Sequence, residues 1–176
     1  DPDQLTRPQA VALNQFVQGG GRLVVTGSAG EQLVAALTGV PIAHEDRGAV
    51  DRLDVWFPSA DTGSARTLAG DRGGRWSDIG PMVPLAGDDQ GPSIVAVPVG
   101  EGHLIAVADT SLLHNGTRGQ ADNAALALAL AGGPGRPVLA RPKYRYRWSR
   151  RTLAAAAPSA SVALRWCAER APLGAG

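Results

Sequence analysis

The sequence predicts an α/β fold, a three-layer sandwich with a mostly parallel central sheet. Helical and strand-like patterns follow one another in the order helix, strand, helix, hairpin, helix, strand, which is typical of α/β domains. Residues 23–25 form a continuously apolar run, as expected of a strand that is buried on both faces of a parallel sheet. The connections from helix to strand are short and rich in glycine.

The segment LTRPQAVALNQFVQGGGRLVVTG, residues 5–27, predicts a helix followed by a strand. Thr6 and Gln9 have the spacing of a capping box, and Pro8 suits the first helical turn. Apolar residues recur on one helical face: Ala10, Leu13, Phe16 and Val17. Three successive glycines end this helix, because glycine enters left-handed conformations at low cost.

The next patterns are a helix in EQLVAALTGV, which ends at Gly39, and a weakly patterned region at 41–91. We expect that region to be a loop-rich insertion with short strands, including RLDVWF at 52–57, while GDRGGRWSDIGPMVPL at 70–85 is mostly loop. Further on, two apolar runs at 94–99 and 103–108 flank Gly-Glu-Gly and predict a hairpin. A helix near 122–131 and a last strand in RPVLA complete the predicted elements of residues 1–140, and TLAAAA and SVALRWCAER in the tail have the composition of short helices.

Composition and charge predict one domain over residues 1–140 and a distinct tail over 141–176. The chain is 44% hydrophobic and 19% charged, as in globular proteins, and no apolar run has the length of a membrane helix. Residues 1–140 carry 9 basic and 15 acidic side chains, whereas residues 141–176 carry 8 basic and 1 acidic. We therefore expect the basic, alanine-rich tail to pack weakly. The single cysteine, Cys167, excludes an internal disulfide.

The start of the tail, RPKYRYRWSRR, interleaves six basic residues with three aromatic ones. This composition suits an anionic lipid surface, RNA or single-stranded DNA. A disordered tail or a shifted reading frame would produce it equally well. Of the binding partners, we favour anionic lipid and do not expect nucleic acid.

The segment ADTSLLHNGTRGQADNAALALAL, residues 108–130, holds a polar cluster formed by Asp109, Asn115, Asp122 and Asn123. One interpretation is a ligand pocket at the end of a strand. The other, which we favour, is structural: Asp109 accepts hydrogen bonds from backbone N–H groups of residues 111–112, and Asp122 caps the last helix. On this second interpretation, Asp109→Ala destabilises the fold by roughly 1 kcal/mol.

The segment TGSAGE, residues 26–31, makes Ser28 the one candidate catalytic residue. A serine between a strand and a helix suggests a nucleophile elbow, and the helix start suggests a phosphate cradle. However, Thr26 stands where the elbow motif has glycine, and no histidine is spaced to complete a triad. We therefore favour an ordinary turn. The spacing of His, Asp and Glu predicts no metal site, and no motif predicts a cofactor.

Two segments together resemble the DUF4350 family of bacterial proteins, over roughly residues 1–140. They are residues 5–27 and GEGHLIAVADTSLLHNGTRGQADNAALALALAG at 100–132. The second contains the residues that carry the resemblance: Gly100, Gly102, Asp109, Leu113, Asn115, Asp122, Asn123 and Ala124.

The resemblance implies a flavodoxin-like fold, similar to class I glutamine amidotransferases, from which the first strand is missing here. It also implies a domain outside the cytoplasm, between two membrane helices, with membrane proteins and MoxR-type ATPases as partners. The high content of arginine and alanine is typical of a GC-rich bacterial genome, such as an actinobacterial one. The family's biochemical activity is not established.

Two hypotheses of function follow. The first is a non-catalytic binding or interaction domain of a membrane-associated bacterial protein. The second is a serine hydrolase that uses Ser28. Amidotransferase chemistry needs a cysteine at the elbow, where this chain has Ser28, and so we do not expect glutaminase activity.

Overall fold

The computed structural model of the protein describes residues 7–132 and 138–140. In this part of the chain there are three α-helices, α1 (Arg7–Gln18), α2 (Gly30–Thr38) and α3 (Asn123–Gly132), and a 3-10 helix (Thr110–Leu113). The strands are β1 (Arg22–Thr26), β2 (Ala43–Asp46), β3 (Val50–Val55), β4 (Thr67–Gly70), β5 (Gly74–Ser77), β6 (Val83–Asp88), β7 (Gly91–Val99), β8 (Gly102–Val107) and β9 (Val138–Ala140). The expectations for the Thr6 capping box and for the tail at 141–176 lie outside the described residues.

Seven of these strands form one mixed sheet in the order β4-β3-β6-β7-β8-β1-β9. Strand β1 runs parallel to β8 and β9, whereas the other four neighbouring pairs are antiparallel. Strands β2 and β5 pair separately as a small antiparallel sheet. The large sheet is therefore mostly antiparallel, and it curls into a half-barrel with few helices.

The predicted α/β three-layer sandwich with a mostly parallel sheet is wrong, and with it the flavodoxin-like and amidotransferase-like descriptions. The parallel arrangement predicted from residues 23–25 holds for β1 and its two neighbours. It does not extend further, because strands β3, β4 and β6 enter the sheet in antiparallel pairs. All three come from the weakly patterned region 41–91. Its residues 70–85, which we expected to be mostly loop, contain β5 and the start of β6.

The locally patterned elements agree with the sequence predictions. Strands β7 and β8 form the expected hairpin, with Val99 opposite Gly102, and the positive φ of 62° at Gly100 explains glycine in its turn. Helix α2 ends at Gly39, whose φ of 71° is left-handed and whose N–H donates to the carbonyl of Ala35.

The hydrophobic core lies on both faces of the large sheet. Side chains from α1 and α2 pack on one face with Leu23 and Val25 of β1, and Trp76 of β5 joins them. Side chains from α3 and the 3-10 helix pack on the other face with Val24. This alternation along β1 explains why all of its residues are buried. No helix in the described part of the chain is both long and apolar enough to cross a bilayer.

Candidate functional site

Four polar side chains hold the outer edge of β4 and the turn that follows it. They are Asp109, Ser111, Asp122 and Asn123, and we call them the edge clamp. Strand β4 is the last strand of the large sheet, so the backbone groups on its outer side have no neighbouring strand. Unpaired backbone groups at a sheet edge must find other hydrogen-bond partners, and the clamp side chains are the partners at this edge.

Asn123 pairs with β4 through its side-chain amide. Its Oδ1 accepts a hydrogen bond from the N–H of Ala69 at 3.1 Å, and its Nδ2 donates to the carbonyl of Ala69 at 2.7 Å. The same Nδ2 donates to the carbonyl of Thr117 at 3.0 Å. Asn123 is fully buried, and its amide takes the place of a neighbouring strand.

Asp122 makes similar hydrogen bonds at the start of β4. Its Oδ2 accepts hydrogen bonds from the N–H groups of Arg66 at 2.8 Å and Thr67 at 3.1 Å, and its own N–H donates to the carbonyl of Thr67. These hydrogen bonds from Arg66 and then Thr67 lower the pKa of Asp122. Its carbonyl accepts the N–H of Leu126 at the start of α3, so Asp122 begins the helix while its carboxylate lies on β4.

Asp109 and Ser111 hold the turn after β4. The Oδ1 of Asp109 accepts from the N–H and the hydroxyl of Ser111 at 2.8 and 2.6 Å, and its Oδ2 accepts from the N–H of Gly73 at 3.0 Å. The hydroxyl of Ser111 in turn accepts from the N–H of Asp71 at 2.9 Å. Glycine is needed at position 70, because a Cβ there would collide with the Asp109 carboxylate.

The clamp thus accepts hydrogen bonds from the N–H groups of residues 66, 67, 69, 71 and 73, all in one stretch of chain. The side chain of Ser111 was not identified from the sequence, although a residue two positions after a capping aspartate is typically a donor to that aspartate. Three of the four predicted cluster residues therefore come together, and all three contact the same stretch of backbone.

Asn115, the fourth predicted residue, lies apart from the clamp. It is exposed in the turn between the 3-10 helix and α3. Thr117, two residues later, is buried and donates its hydroxyl hydrogen to the carbonyl of Ser111. Asn115 is therefore on the surface of a loop in which Thr117 bonds to two clamp residues, Ser111 and Asn123.

Ser28 is half-buried in the turn between β1 and α2, and its carbonyl accepts the N–H of Glu31 at 3.2 Å. Two histidines contact other groups: His44 Nε2 lies 3.1 Å from the carbonyl of Ala108, and His103 Nε2 lies 3.1 Å from Asp61. Ser28 thus lies in the strand-to-helix turn that the sequence predicts.

Arg22, Asp61 and His103 form an ionic cluster that the sequence did not indicate. Asp61 Oδ1 lies 3.0 Å from Arg22 Nη1 and 3.1 Å from His103 Nε2. Burial by itself raises the pKa of Asp61, but the hydrogen bonds and charges of His103 and Arg22 outweigh burial and hold this pKa below its ordinary value. Arg22 also donates to the carbonyls of Ala129 and Leu130 at the end of α3. The signal in the sequence was a charged residue, Arg22, directly before the buried apolar run at residues 23–25.

Large apolar side chains are exposed where β3 ends beside β6. Trp56 is 39% exposed, Phe57 is 54% exposed and Val83 is 44% exposed, and we call these three the aromatic rim. The N–H groups of Trp56 and Phe57 both donate to the carbonyl of Leu85, which fixes the pair beside β6. The Trp56 ring lies over Gly87, where a Cβ would come within 2.6 Å of it.

No group of three His, Cys, Asp or Glu side chains within residues 7–132 and 138–140 is placed to hold a metal ion. Three residues of the predicted polar cluster belong to the clamp, and their side chains hydrogen-bond to backbone groups at the edge of the sheet.

Comparison with known proteins gives one family and a similar fold. A family described as "Domain of unknown function (DUF4350)" matches residues 1–131. Among solved structures, a chain titled "mmIFT52 N-terminal domain" superposes with a TM-score of 0.52 at 16% identity, over 69% of this chain and 68% of that one. A cold-adapted β-galactosidase from Rahnella sp. R3 gives a TM-score of 0.45 at 20% identity, over 69% of this chain and 20% of that one. No curated protein matches.

Proposed function

Because the chain belongs to the DUF4350 family, a domain of unknown function, we propose that it is a non-catalytic interaction domain of a membrane-associated bacterial protein. The observation that carries this proposal is that the polar side chains of the edge clamp bind the chain's own backbone. Because these side chains are already bonded, we assign the interaction to another surface of the domain.

The hydrogen-bonding capacity of the clamp supports a structural role. Both carboxylate oxygens of Asp109 accept hydrogen bonds within the chain, and this side chain is 1% exposed. Both amide atoms of Asn123 are bonded as well. A ligand at this place would have to break several buried hydrogen bonds, each of which costs about 1–3 kcal/mol when it is left unmade.

The aromatic rim is the surface that we assign to the interaction. Tryptophan and phenylalanine are enriched at protein interfaces, and adjacent exposed apolar side chains mark such surfaces more often than scattered ones do. Trp56 and Phe57 are adjacent in sequence and are fixed by the carbonyl of Leu85. Because these hydrogen bonds hold the backbone of the pair, little backbone entropy is lost here when a partner binds.

The partners belong to the proposal and follow from the family resemblance. We assign the rim to a protein partner, either a membrane protein or a MoxR-type ATPase. We assign anionic lipid to the basic segment at 141–151, whose six basic side chains suit a negatively charged surface.

The test is a binding titration between the purified chain and a purified MoxR-type ATPase from the same organism. We expect Phe57→Ala to weaken binding at least about tenfold, which corresponds to about 1.4 kcal/mol. The matched control is Val11→Ala, since Val11 is 47% exposed on α1, and it should bind as the original chain does. Absence of binding, or equal losses in both variants, would contradict the assignment of the rim to this partner.

The hydrolase hypothesis is tested separately with a fluorophosphonate probe, which labels activated serines. The proposal expects Ser28 to remain unlabelled at neutral pH. Labelling that disappears in Ser28→Ala would overturn the non-catalytic proposal, whatever the result of the binding titration.

A further inference from the structure

We propose that Asn115 is a site of spontaneous deamidation, which converts it to aspartate and isoaspartate. The reaction itself depends on neither the clamp nor the rim. It rests on the chemistry of an asparagine followed by glycine and on the position of this pair in the fold.

Sequence and accessibility favour the reaction at Asn115. Gly116 has no side chain to shield its backbone nitrogen, and no heavy atom lies within 4 Å of the place where a Cβ would stand. Asn115 is exposed to water in a turn. The hydrogen bonds found among the described residues include neither the Asn115 side chain nor the N–H of Gly116, so neither group is held away from the other.

The reaction needs water alone as a co-reactant. The backbone nitrogen of Gly116 attacks Cγ of Asn115 and forms a new C–N bond, while the bond from Cγ to the side-chain nitrogen breaks. That nitrogen leaves as ammonia and takes up the proton from Gly116. Water then opens the cyclic imide: cleavage at Cγ yields aspartate, and cleavage at the main-chain carbonyl yields isoaspartate. No electrons are transferred.

The two other asparagines of the chain provide internal controls. Asn14 lies within α1, accepts a hydrogen bond from Gln18 and is followed by a glutamine, so a helix holds its backbone. Asn123 is fully buried, and its amide is bonded to Ala69. Both sites restrict the approach of a backbone nitrogen to Cγ, and both should react far more slowly.

Deamidation should destabilise the fold, because the loop that contains Asn115 connects the two parts of the clamp. Isoaspartate at 115 adds one carbon to the main chain and a negative charge between the two halves of the clamp, Ser111 and Asp122. Thr117 in the same loop donates to the carbonyl of Ser111, and its carbonyl accepts from Asn123. A longer loop displaces Thr117, and the isoaspartate form should therefore unfold at a lower denaturant concentration than the original chain.

The experiment incubates the chain at mildly alkaline pH and follows each asparagine by peptide mass spectrometry, with an isoaspartyl-specific methyltransferase to detect isoaspartate. We expect reaction at Asn115 while Asn14 and Asn123 stay intact. Gly116→Ala, which fits the open space at that position, should slow the reaction about tenfold or more, or about 1.4 kcal/mol in its barrier.

The matched control is Gly119→Ala in the same loop, where a Cβ also meets nothing within 4 Å, and it should react at the original rate. Equal rates at all three asparagines, an unreactive Asn115, or equal effects of the two alanine variants would overturn the proposal. Each of these outcomes is independent of whether the rim binds a partner.

Discussion

The side-chain amide of Asn123 bonds to both backbone groups of Ala69, 54 residues earlier in the chain. The amide presents one acceptor and one donor, as a residue in a neighbouring strand does, and so it ends the sheet without leaving Ala69 unpaired. Exposed strand edges promote association with other chains, and a side chain in this position blocks that pairing.

Replacement of Asn123 tests this arrangement. Asn123→Ala leaves Ala69 and the carbonyl of Thr117 without their partner, and we expect a loss of about 2–3 kcal/mol in the free energy of unfolding. The measurement is a urea titration followed by circular dichroism. Asn14→Ala on α1 is the control, with an expected change within about 0.5 kcal/mol. Similar values for the two variants would show that the amide does not hold β4.

Replacement of Asp109 should have a larger effect than the roughly 1 kcal/mol expected for a simple cap. Asp109→Ala removes the acceptor of the buried N–H groups of Ser111 and Gly73, and we expect a loss of about 3 kcal/mol. The control is Asp71→Ala in the same turn, because the carboxylate of Asp71 is exposed and its N–H remains bonded to Ser111. If Asp109→Ala proves as mild as Asp71→Ala in denaturant titration, the carboxylate is not structural.

The lowered pKa of Asp61 predicts a dependence of stability on acid. Since the pKa is lower in the folded than in the unfolded protein, ionised Asp61 stabilises the fold above its ordinary value of 3.8. This contribution is lost as the pH falls through the lower folded value. We therefore expect Asp61→Asn to be less stable at neutral pH and to lose less stability than the original chain on acidification below about pH 4.

Thermal unfolding at a series of pH values measures this slope. Asp54→Asn is the matched control, because Asp54 is exposed and pairs with the exposed Arg52. The stability of Asp54→Asn should change with pH as that of the original chain does, since exposed ion pairs contribute little to the free energy of unfolding. Parallel curves for Asp61→Asn and the original chain would contradict the role of the ionic cluster.

The buried hydroxyl of Thr26 predicts that a substitution which removes it stabilises the fold. Its hydroxyl is buried at the end of β1 and has no hydrogen-bond partner among the described residues. Valine has nearly the same shape without the hydroxyl, and we expect Thr26→Val to raise the free energy of unfolding by about 1 kcal/mol. The same change at Thr38, whose hydroxyl donates to the carbonyl of Val34, should destabilise. If Thr26→Val lowers stability in the same titration, the hydroxyl has a partner that matters.

The sequence by itself determined the elements whose signals are local. The helical spacing in α1, the glycine at the end of α2 and the Gly-Glu-Gly turn of the β7–β8 hairpin each depend on neighbours a few residues away. The same holds for Asp109, whose bond to Ser111 spans two residues. Such patterns are readable because the interacting groups lie within one turn of chain.

Tertiary structure alone decided the direction and order of the strands. A continuous apolar run shows that β1 is buried on both faces, but β8 is buried over residues 104–107 as well and has an antiparallel neighbour on one side. Burial therefore does not distinguish a parallel from a mixed sheet. The partners of Asp122 and Asn123 were equally hidden, because β4 lies more than 50 residues away and only the folded sheet brings its unpaired edge to these side chains.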